Sequence, residues 1–357
     1  MLLKSAMNLM VCTYVERSEG YKLTTVAVLP VDRNKTTYDI RQYVPEWRSR
    51  TAVIADKVLS RKNKKMFQAG PFVAPGVLPL NSTWSVHTAL DLGIASQGIS
   101  KAFSSHHYFG ENCSPFKPTV ARVLMNRTRL VDDMRFHRNA SAYTVSLGLA
   151  YVLGETNSIA CQGATNVSDV FGAALWSVDY AFYAASLNVS KIFWHMGTGY
   201  RYAPWQATQS GTVAPGPRPL YYGNWLIATA LGKTDAQVVP IVNTTKLAGY
   251  AIYSSGKHRV HLQSLVLVNM DIFNSTSTPA RQRSSVDFEL PDQLAGKNAK
   301  ATVRRLTAPG IEAKEGLTFS GRSVALDGKI VGKDDKERVI KGVVNVKASE
   351  AVVVSFD

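Results

Sequence analysis

Cysteine is scarce in this sequence: Cys12, Cys113 and Cys161 are the only three among 357 residues. That count excludes a disulfide-dense scaffold and allows at most one bridge, for which Cys113 with Cys161 is the pairing to consider. Long apolar runs are also missing. No stretch of about 18 apolar residues occurs, which excludes a membrane-spanning helix. With so few cysteines and no His-x-x-x-His spacing, no metal-binding pattern is present, and no metal or cofactor is expected. The first fifteen residues offer one lysine and a weak apolar run broken by Asn8, without the apolar stretch and small-residue cleavage site of a secretory leader. Acidic residues are outnumbered, 26 Asp and Glu against 41 Lys and Arg, for a net charge of +15. Such a field attracts anions but does not choose among nucleic acid, anionic glycan and acidic sugar. No aromatic RNA-binding motif or zinc finger accompanies the charge, so nucleic acid is not an expected partner. The basic run RKNKK (61–65) reads as a solvated stretch after a helix, where cations complement the helix dipole.

Asn-x-Ser/Thr is abundant. It occurs at Asn34, Asn81, Asn112, Asn126, Asn139, Asn166, Asn188, Asn243 and Asn274, nine of the sixteen asparagines. These are glycosylation acceptors in secreted proteins, so a secreted chain is expected despite its unconvincing start.

From about residue 38 the pattern alternates helix and strand. PEWRSRTAVIADKVL (45–59) places Trp47, Thr51, Ile54 and Val58 on one helical face, with Pro45 suited to a first turn. Strands are expected at 64–75, 99–110, 149–158 and from 191, with helices at 84–93, 119–134 and 221–231 between or after them. FGAALWSVDYAFYAASL (171–187) predicts a helix with Phe171, Leu175, Val178, Phe182 and Ala185 in one apolar stripe. From about 245 the texture changes to short alternating strands, such as HLQSLVLVNMDIF, SVDFEL, ATVRRLTA, GLTFS and EAVVVSF. An α/β unit followed by an all-β sandwich is the expectation.

The residues able to carry chemistry sit where those strands end. Glu155 closes an apolar strand, the position at which parallel α/β sheets place their sites, and Asn157 follows it within reach of a substrate. His106, His107 and Tyr108 end the preceding strand. Side-chain alternation lets at most one of the two histidines line a given site, and we assign His107 to the substrate side. The loop GTGYRY (197–202) combines backbone amides, tyrosine hydroxyls and a guanidinium, a set suited to a carboxylate or phosphate. It is neither GxGxxG after a first strand nor a Walker loop.

Taken together, LGETNS, SDVFGAALWSVDYAFYAASL and HMGTGYRYAPWQ, in this order, resemble glycoside hydrolase family 79, in particular its fungal β-glucuronidase-like members. The likeness runs from about Tyr38 through the β domain and is densest between 149 and 231. It implies a (β/α)8 barrel bearing a β-sandwich, and cleavage of β-linked glucuronides with retained anomeric configuration. It further implies that Glu155 is the nucleophile, that Tyr108 orients it, and that Gly199 and Tyr200 help hold the uronate carboxylate. A retaining glycosidase uses two carboxyl groups. In the family the second, the acid/base, belongs to an Asn-Glu-Pro motif ending the fourth barrel strand, and no Asn-Glu occurs upstream here. Glu16 and Glu19 lack the flanking pattern, and Asp32 has no Asn before it. The expected architecture is an atypical segment 1–37, a partial (β/α)8 TIM barrel over 38–240 with its first strands missing, and a β-sandwich over 241–357. An incomplete chain is the reading that follows. The alternative is an inactive remnant that binds glucuronides or glucuronic-acid-containing glycans without cleaving them. Neither version requires a membrane.

Overall fold

The computed structural model describes residues 38–57, 65–72, 84–113, 115, 117–211, 213–232, 235–255, 260–276, 282–295 and 301–356. Cys12, Glu16, Glu19, Asp32, Asn34, Asn81 and all but the last residue of the 61–65 basic run lie outside them.

Four strands, β1 (Phe67–Phe72), β2 (Ser100–Tyr108), β3 (Ala150–Asn157) and β4 (Val189–Trp194), form one sheet in sequence order, and every pairing is parallel. Parallel neighbours require a crossover, and the intervening segments supply it. Helix α1 (Ile40–Lys57) precedes β1, and α2 (Val86–Asp91) lies between β1 and β2. A π-helical turn (Val120–Leu124), α3 (Arg127–Asp133) and α4 (Arg135–Ser146) connect β2 to β3. Helix α5 (Phe171–Ser186) connects β3 to β4, and α6 (Pro219–Leu231) follows β4.

The helix expected at 119–134 is a π-helical turn followed by α3, α4 lies beyond it where none was expected, and α1 and α5 also differ from their sequence expectation. Helix α1 starts at Ile40, so Pro45 lies inside it and not in its first turn. A proline there removes one backbone hydrogen bond. Burial of Ile40, Tyr43, Val44, Trp47 and Thr51 on one face overrides that cost. Helix α5 is buried nearly all round, with Gly172, Ala173, Trp176, Ser177, Asp179 and Tyr180 inside as well as the expected apolar stripe. A helix apolar on every side is one packed between two layers.

The second layer is antiparallel. Strands β7 (Ala236–Asn243), β8 (Leu247–Ser255), β9 (Val260–Asn269), β11 (Ala301–Thr307), β12 (Thr318–Phe319) and β17 (Glu350–Phe356) run in the order β12-β11-β17-β9-β8-β7, with β15 (Glu337–Arg338) also on β11. A two-stranded sheet of β10 (Ser285–Glu289) and β16 (Val343–Lys347) is separate. Two further short pairs are β5 (Trp205–Gln206) with β6 (Gly216–Pro217), and β13 (Ser323–Val324) with β14 (Ile330–Val331). The large sheet opens at Ala236, five residues before the expected boundary at 241, because the β7–β8 hairpin belongs to it.

Alternation explains the two faces of that sheet. Val266, Val268, Tyr250, Ile252, Ala351 and Val353 join the core shared with α5 and α6. Leu265, Leu267, Ala251, Val352 and Val354 point the other way, onto Val344 and Val346 of β16. With both faces covered, the central strands become continuous apolar runs, and each fully buried Val or Leu contributes about 1.5–3 kcal/mol. The outer cover is the β10–β16 pair with Leu290, and Leu294 and Val339 pack against the same cluster.

One polar cluster crosses the contact between the two layers. Arg127 of α3 and Asp179 of α5 are fully buried and face each other at 3.3 Å. The Arg127 guanidinium donates to the Tyr250 oxygen at 3.1 Å, and the Tyr250 hydroxyl donates to Asp179 Oδ1 at 2.5 Å. Arg127 also donates to Asn243 Oδ1. Burial pushes the Asp179 carboxyl up, and the Arg127 charge opposes it. Removing one member leaves its partner's charge stranded in the core. Asp179→Ala is expected to lower the unfolding free energy by about 3–5 kcal/mol, and Tyr250→Phe by about 1 kcal/mol. Urea unfolding of the two variants checks the order; equal midpoints for Asp179→Ala and the parent chain would contradict it.

Candidate active site

Three strands of the parallel sheet converge at their C-terminal ends on Glu155. The pairing shows how that side chain is aimed. Ser105 pairs with Leu153 and His106 with Glu155, so β3 carries one residue more than β2 across this step. On the other side Leu153 pairs with Ile192 and Thr156 with Trp194, again with an extra residue in β3. The extra residue breaks the two-residue alternation, as a β-bulge does. Tyr151 before it reaches His137 of α4 and Thr156 after it reaches Tyr180 of α5, so both face the helices, while Gly154 and Glu155 face the opposite side. Gly154 is the residue that permits this. A Cβ there would lie 2.1 Å from Ser104 Oγ and 3.3 Å from Ser104 Cβ.

The Glu155 carboxylate is held by a phenol. Tyr108 donates its hydroxyl to Oε1 at 2.8 Å. His195, the residue after β4, places Nδ1 at 2.9 Å from the Tyr108 oxygen, 2.8 Å from the Tyr202 oxygen and 3.8 Å from Oε1. His106 Nδ1 is 3.9 Å from Oε2, too far for a hydrogen bond. Burial pushes the Tyr108 phenol up and the Glu155 charge adds to it, so Tyr108 stays a neutral donor. Burial lowers His106 below its ordinary value against the pull of Glu155, which keeps that imidazole neutral near pH 7. Oxygen Oε1 is therefore fixed, and Oε2 faces an uncharged ring. Among the described residues the close contacts to this carboxylate come from a phenol and two imidazoles, and none from a second carboxylate.

Two residues assigned to the substrate side belong elsewhere. His107 is buried under the sheet with Nδ1 at 3.0 Å from His137 Nε2, against the rings of Phe109 and Tyr180, and burial pushes it down to about 3. Alternation gives the Glu155 side to His106 and Tyr108, two residues apart. Asn157 is fully buried as well. Its amide donates to the His195 carbonyl at 2.9 Å and its oxygen accepts the Ser158 N–H at 2.8 Å, which ties the end of β3 to the end of β4. Gly199 and Tyr200 do lie beside the site. Gly199 sits at φ +79°, where glycine is favoured, and its N–H donates to Gln206 Oε1 at 3.0 Å. The Tyr200 ring packs against His195 and Tyr202, and its N–H is taken by the Gly197 carbonyl.

His195 and Gln206 escaped the sequence reading, which names His106 but gives the substrate side to His107, and names Tyr202 only as part of the GTGYRY loop. His106 left a signal, the i, i+2 spacing to Tyr108. The loops are tied together by the Cys113–Cys161 disulfide, which joins the segment after β2 to the segment after β3 across a separation of 48 residues. A loop of that size corresponds to about 4 kcal/mol in the chain-entropy account. Cys161 and Gln162 beside it are left-handed, and the Gln162 carbonyl accepts the Arg201 N–H at 2.8 Å. Of the described sequons, Asn126, Asn139, Asn166, Asn188 and Asn243 are exposed, and Asn112 and Asn274 are half-buried.

A parallel α/β sheet thus carries a held carboxylate at its strand ends and is backed by an antiparallel β layer. Residues 249–353 match the family model described as the glycosyl hydrolase family 79 C-terminal beta domain. A β-glucuronidase of Aspergillus niger is 30% identical over 306 residues, 82% of this chain and 55% of that protein. A β-glucuronidase of Neurospora crassa is 29% identical over 316 residues, 79% of this chain and 56% of that protein. Among solved structures, a 4-O-α-L-rhamnosyl-β-D-glucuronidase from Fusarium oxysporum 12S superposes with a TM-score of 0.73 at 21% identity, covering 90% of this chain and 66% of that one. A family 51 arabinofuranosidase from Xanthomonas axonopodis pv. citri gives 0.57 at 14% identity, covering 90% and 64%. Residues 249–353 thus belong to the family 79 C-terminal beta domain, and the chain as a whole is similar to fungal β-glucuronidases. It spans about half the length of the curated relatives it matches.

The bulge generates a stability prediction. Gly154→Ala forces Ser104 to turn its hydroxyl away and Gln68 to shift its amide nitrogen, 2.9 Å from the new Cβ, and still leaves a tight Ser104 Cβ contact, an expected loss of about 1 kcal/mol. Adding Ser104→Gly should restore most of it, read from urea midpoints of the two single variants and the double. Strict additivity of the two changes would remove the contact from the explanation.

Proposed function

We propose that this chain carries the nucleophile side of a retaining β-glucuronidase-like glycoside hydrolase, on a partial (β/α)8 barrel followed by a C-terminal β-sandwich. The observation that supports this most is the Tyr108 hydrogen bond to Glu155 Oε1 at 2.8 Å, which leaves Oε2 free to react. In the proposed reaction Oε2 attacks the anomeric carbon of a glucuronide. A glycosyl–Glu155 ester forms, the bond to the leaving oxygen breaks, and that oxygen takes a proton from a general acid. Water then gives a proton to the conjugate base of that acid and attacks the anomeric carbon, whose bond to Glu155 Oε2 breaks, so the sugar leaves with its configuration retained and the carboxylate is regenerated. Tyr108 keeps Oε1 in place through both steps. Tyr200 and Gly199 stand on the side where the uronate carboxylate would lie, and the net charge of +15 favours an acidic substrate. For a Gly199 amide contact Gln206 would have to yield. Glucuronic-acid-containing glycans are the proposed partners, and the cysteine bridge together with the exposed sequons supports a secreted protein.

A binding-only role is the second reading, favoured by the lack of an Asn-Glu pair in the given sequence. One reagent separates the two. A 2-deoxy-2-fluoroglucuronyl fluoride needs no protonation of its leaving group, so it should esterify Glu155 whether or not an acid/base is in reach. Peptide mass mapping should place the label on Glu155, and Tyr108→Phe should slow labelling on the order of 10²-fold. Labelling of another carboxylate would overturn the assignment, and absence of any label would favour the binding role.

A further inference from the structure

Beyond the strand ends, the loop that follows β4 carries a second group of side chains for which the proposed chemistry has no use. Trp205 of β5 and Tyr221 of α6 stand with their ring centroids 5.9 Å apart at an interplanar angle of 59°, and both rings are partly open to solvent. The β5–β6 bridge pairs Trp205 with Pro217 and Gln206 with Gly216, and the Arg218 N–H then donates to the Pro204 carbonyl at 2.9 Å. The Arg218 backbone is thereby set between Trp205 and Tyr221, its carbonyl accepting the Tyr221 N–H at 2.9 Å, and the residue is partly buried. Asp169, whose charge acts on Arg218, is already engaged: Oδ1 accepts the Asn166 N–H at 2.6 Å and Oδ2 holds Lys314 at 2.8 Å. Among the described residues the Arg218 guanidinium has no hydrogen bond and no ion pair. Burial lowers Arg218 below the ordinary arginine value, and Arg201 adds to that, so a second cation stands close by.

The support beneath this group comes from the antiparallel layer. Gly328, next to the β13–β14 pair, lies against the edge of Trp205, and Leu326 lies against Gly216. The Val324 N–H donates to the Tyr222 hydroxyl at 3.1 Å. Trp205 adjoins Gln206, whose oxygen holds the Gly199 amide. The aromatic pair and the guanidinium are thus linked by one short bridge to the loop of the candidate active site. A ring platform takes the apolar face of a pyranose, and a guanidinium without a partner takes a carboxylate in two-point contact.

We propose that Trp205, Tyr221 and Arg218 form an outer binding site for a further acidic sugar residue of an oligosaccharide, one that carries a uronate carboxylate. The proposal extends the glucuronide reading above. A glycan occupying both places would present several sugars to the protein, so oligosaccharides should bind better than monosaccharide glucuronides.

The test is calorimetric titration of the Glu155→Gln chain, so that binding is read without any cleavage. The ligand is a hexasaccharide of alternating glucuronic acid and N-acetylglucosamine, with cellohexaose as the uncharged counterpart. Trp205→Ala should weaken the acidic hexasaccharide roughly tenfold, within the range of an aromatic contact. Trp205→Tyr should recover part of the loss, and Arg218→Gln should weaken the acidic ligand selectively. Unchanged affinity in Trp205→Ala, or equal binding of cellohexaose and the acidic ligand, would overturn the proposal. Near-ultraviolet circular dichroism shows that each variant is folded, and loss of its signal in Trp205→Ala makes Trp205→Tyr and Arg218→Gln the deciding pair. Failure of the fluoride reagent to label Glu155 would strike the catalytic reading alone, since this binding is measured without it.

Discussion

The extra residue in β3 is the constraint on which the rest of the site depends. A regular strand would send residue 155 to the same side as residues 151 and 153, toward the helices, and a carboxylate there would be buried without a partner. The bulge at Gly154 moves Glu155 to the side of His106 and Tyr108. Thr156 then returns to the helix side, where its hydroxyl lies 2.8 Å from that of Tyr180. One glycine therefore decides which face receives the charge. Its lack of a side chain is also what lets Ser104 of β2 approach from the neighbouring strand.

Around that point the polar groups divide by depth. His107, His137 and Tyr151 form a buried chain on the helix side, joined by contacts of 3.0 and 2.8 Å and held neutral by burial. Glu155, Tyr108, His195 and Tyr202 form the chain that reaches solvent. Helix α5 connects both to the antiparallel layer: Tyr180 packs on Trp176 and Trp194, and Asp179 faces Arg127 and Tyr250. Replacing a buried ion pair by apolar residues can be neutral or stabilising, whereas removing one member is costly. The Arg127–Asp179 pair therefore acts mainly to fix how α3, α5 and β8 meet.

Much of this was legible in the sequence. The spacing of Trp47 and Thr51, the apolar run before Glu155 and the alternating segments after 260 found the elements to within a few residues. The α5 stripe was read too narrowly, because a helix packed on two sheets has no polar face to reveal its orientation. The β7–β8 hairpin was missed because AQVVPIVN and LAGYAIYSS carry proline and glycine, which read as breaks. Glu155, Tyr108 and the Cys113–Cys161 pair were legible from strand ends and cysteine count. His107 and Asn157 were misplaced for one physical reason. Which face a strand-end residue takes depends on register and bulge, and these are set by pairing with chain far away in sequence. The same holds for His195 and Tyr202, which meet Tyr108 only through the sheet.

The measurement closest to the central claim is a crystal structure of the chain soaked with a glucuronate-configured isofagomine, whose ring nitrogen stands in for the anomeric carbon of the bound sugar. The account predicts that nitrogen at hydrogen-bond distance, about 3 Å, from Glu155 Oε2, with Tyr108 still on Oε1. An analogue bound away from Glu155, or one whose own carboxylate lies against His106 with the nitrogen elsewhere, would contradict it.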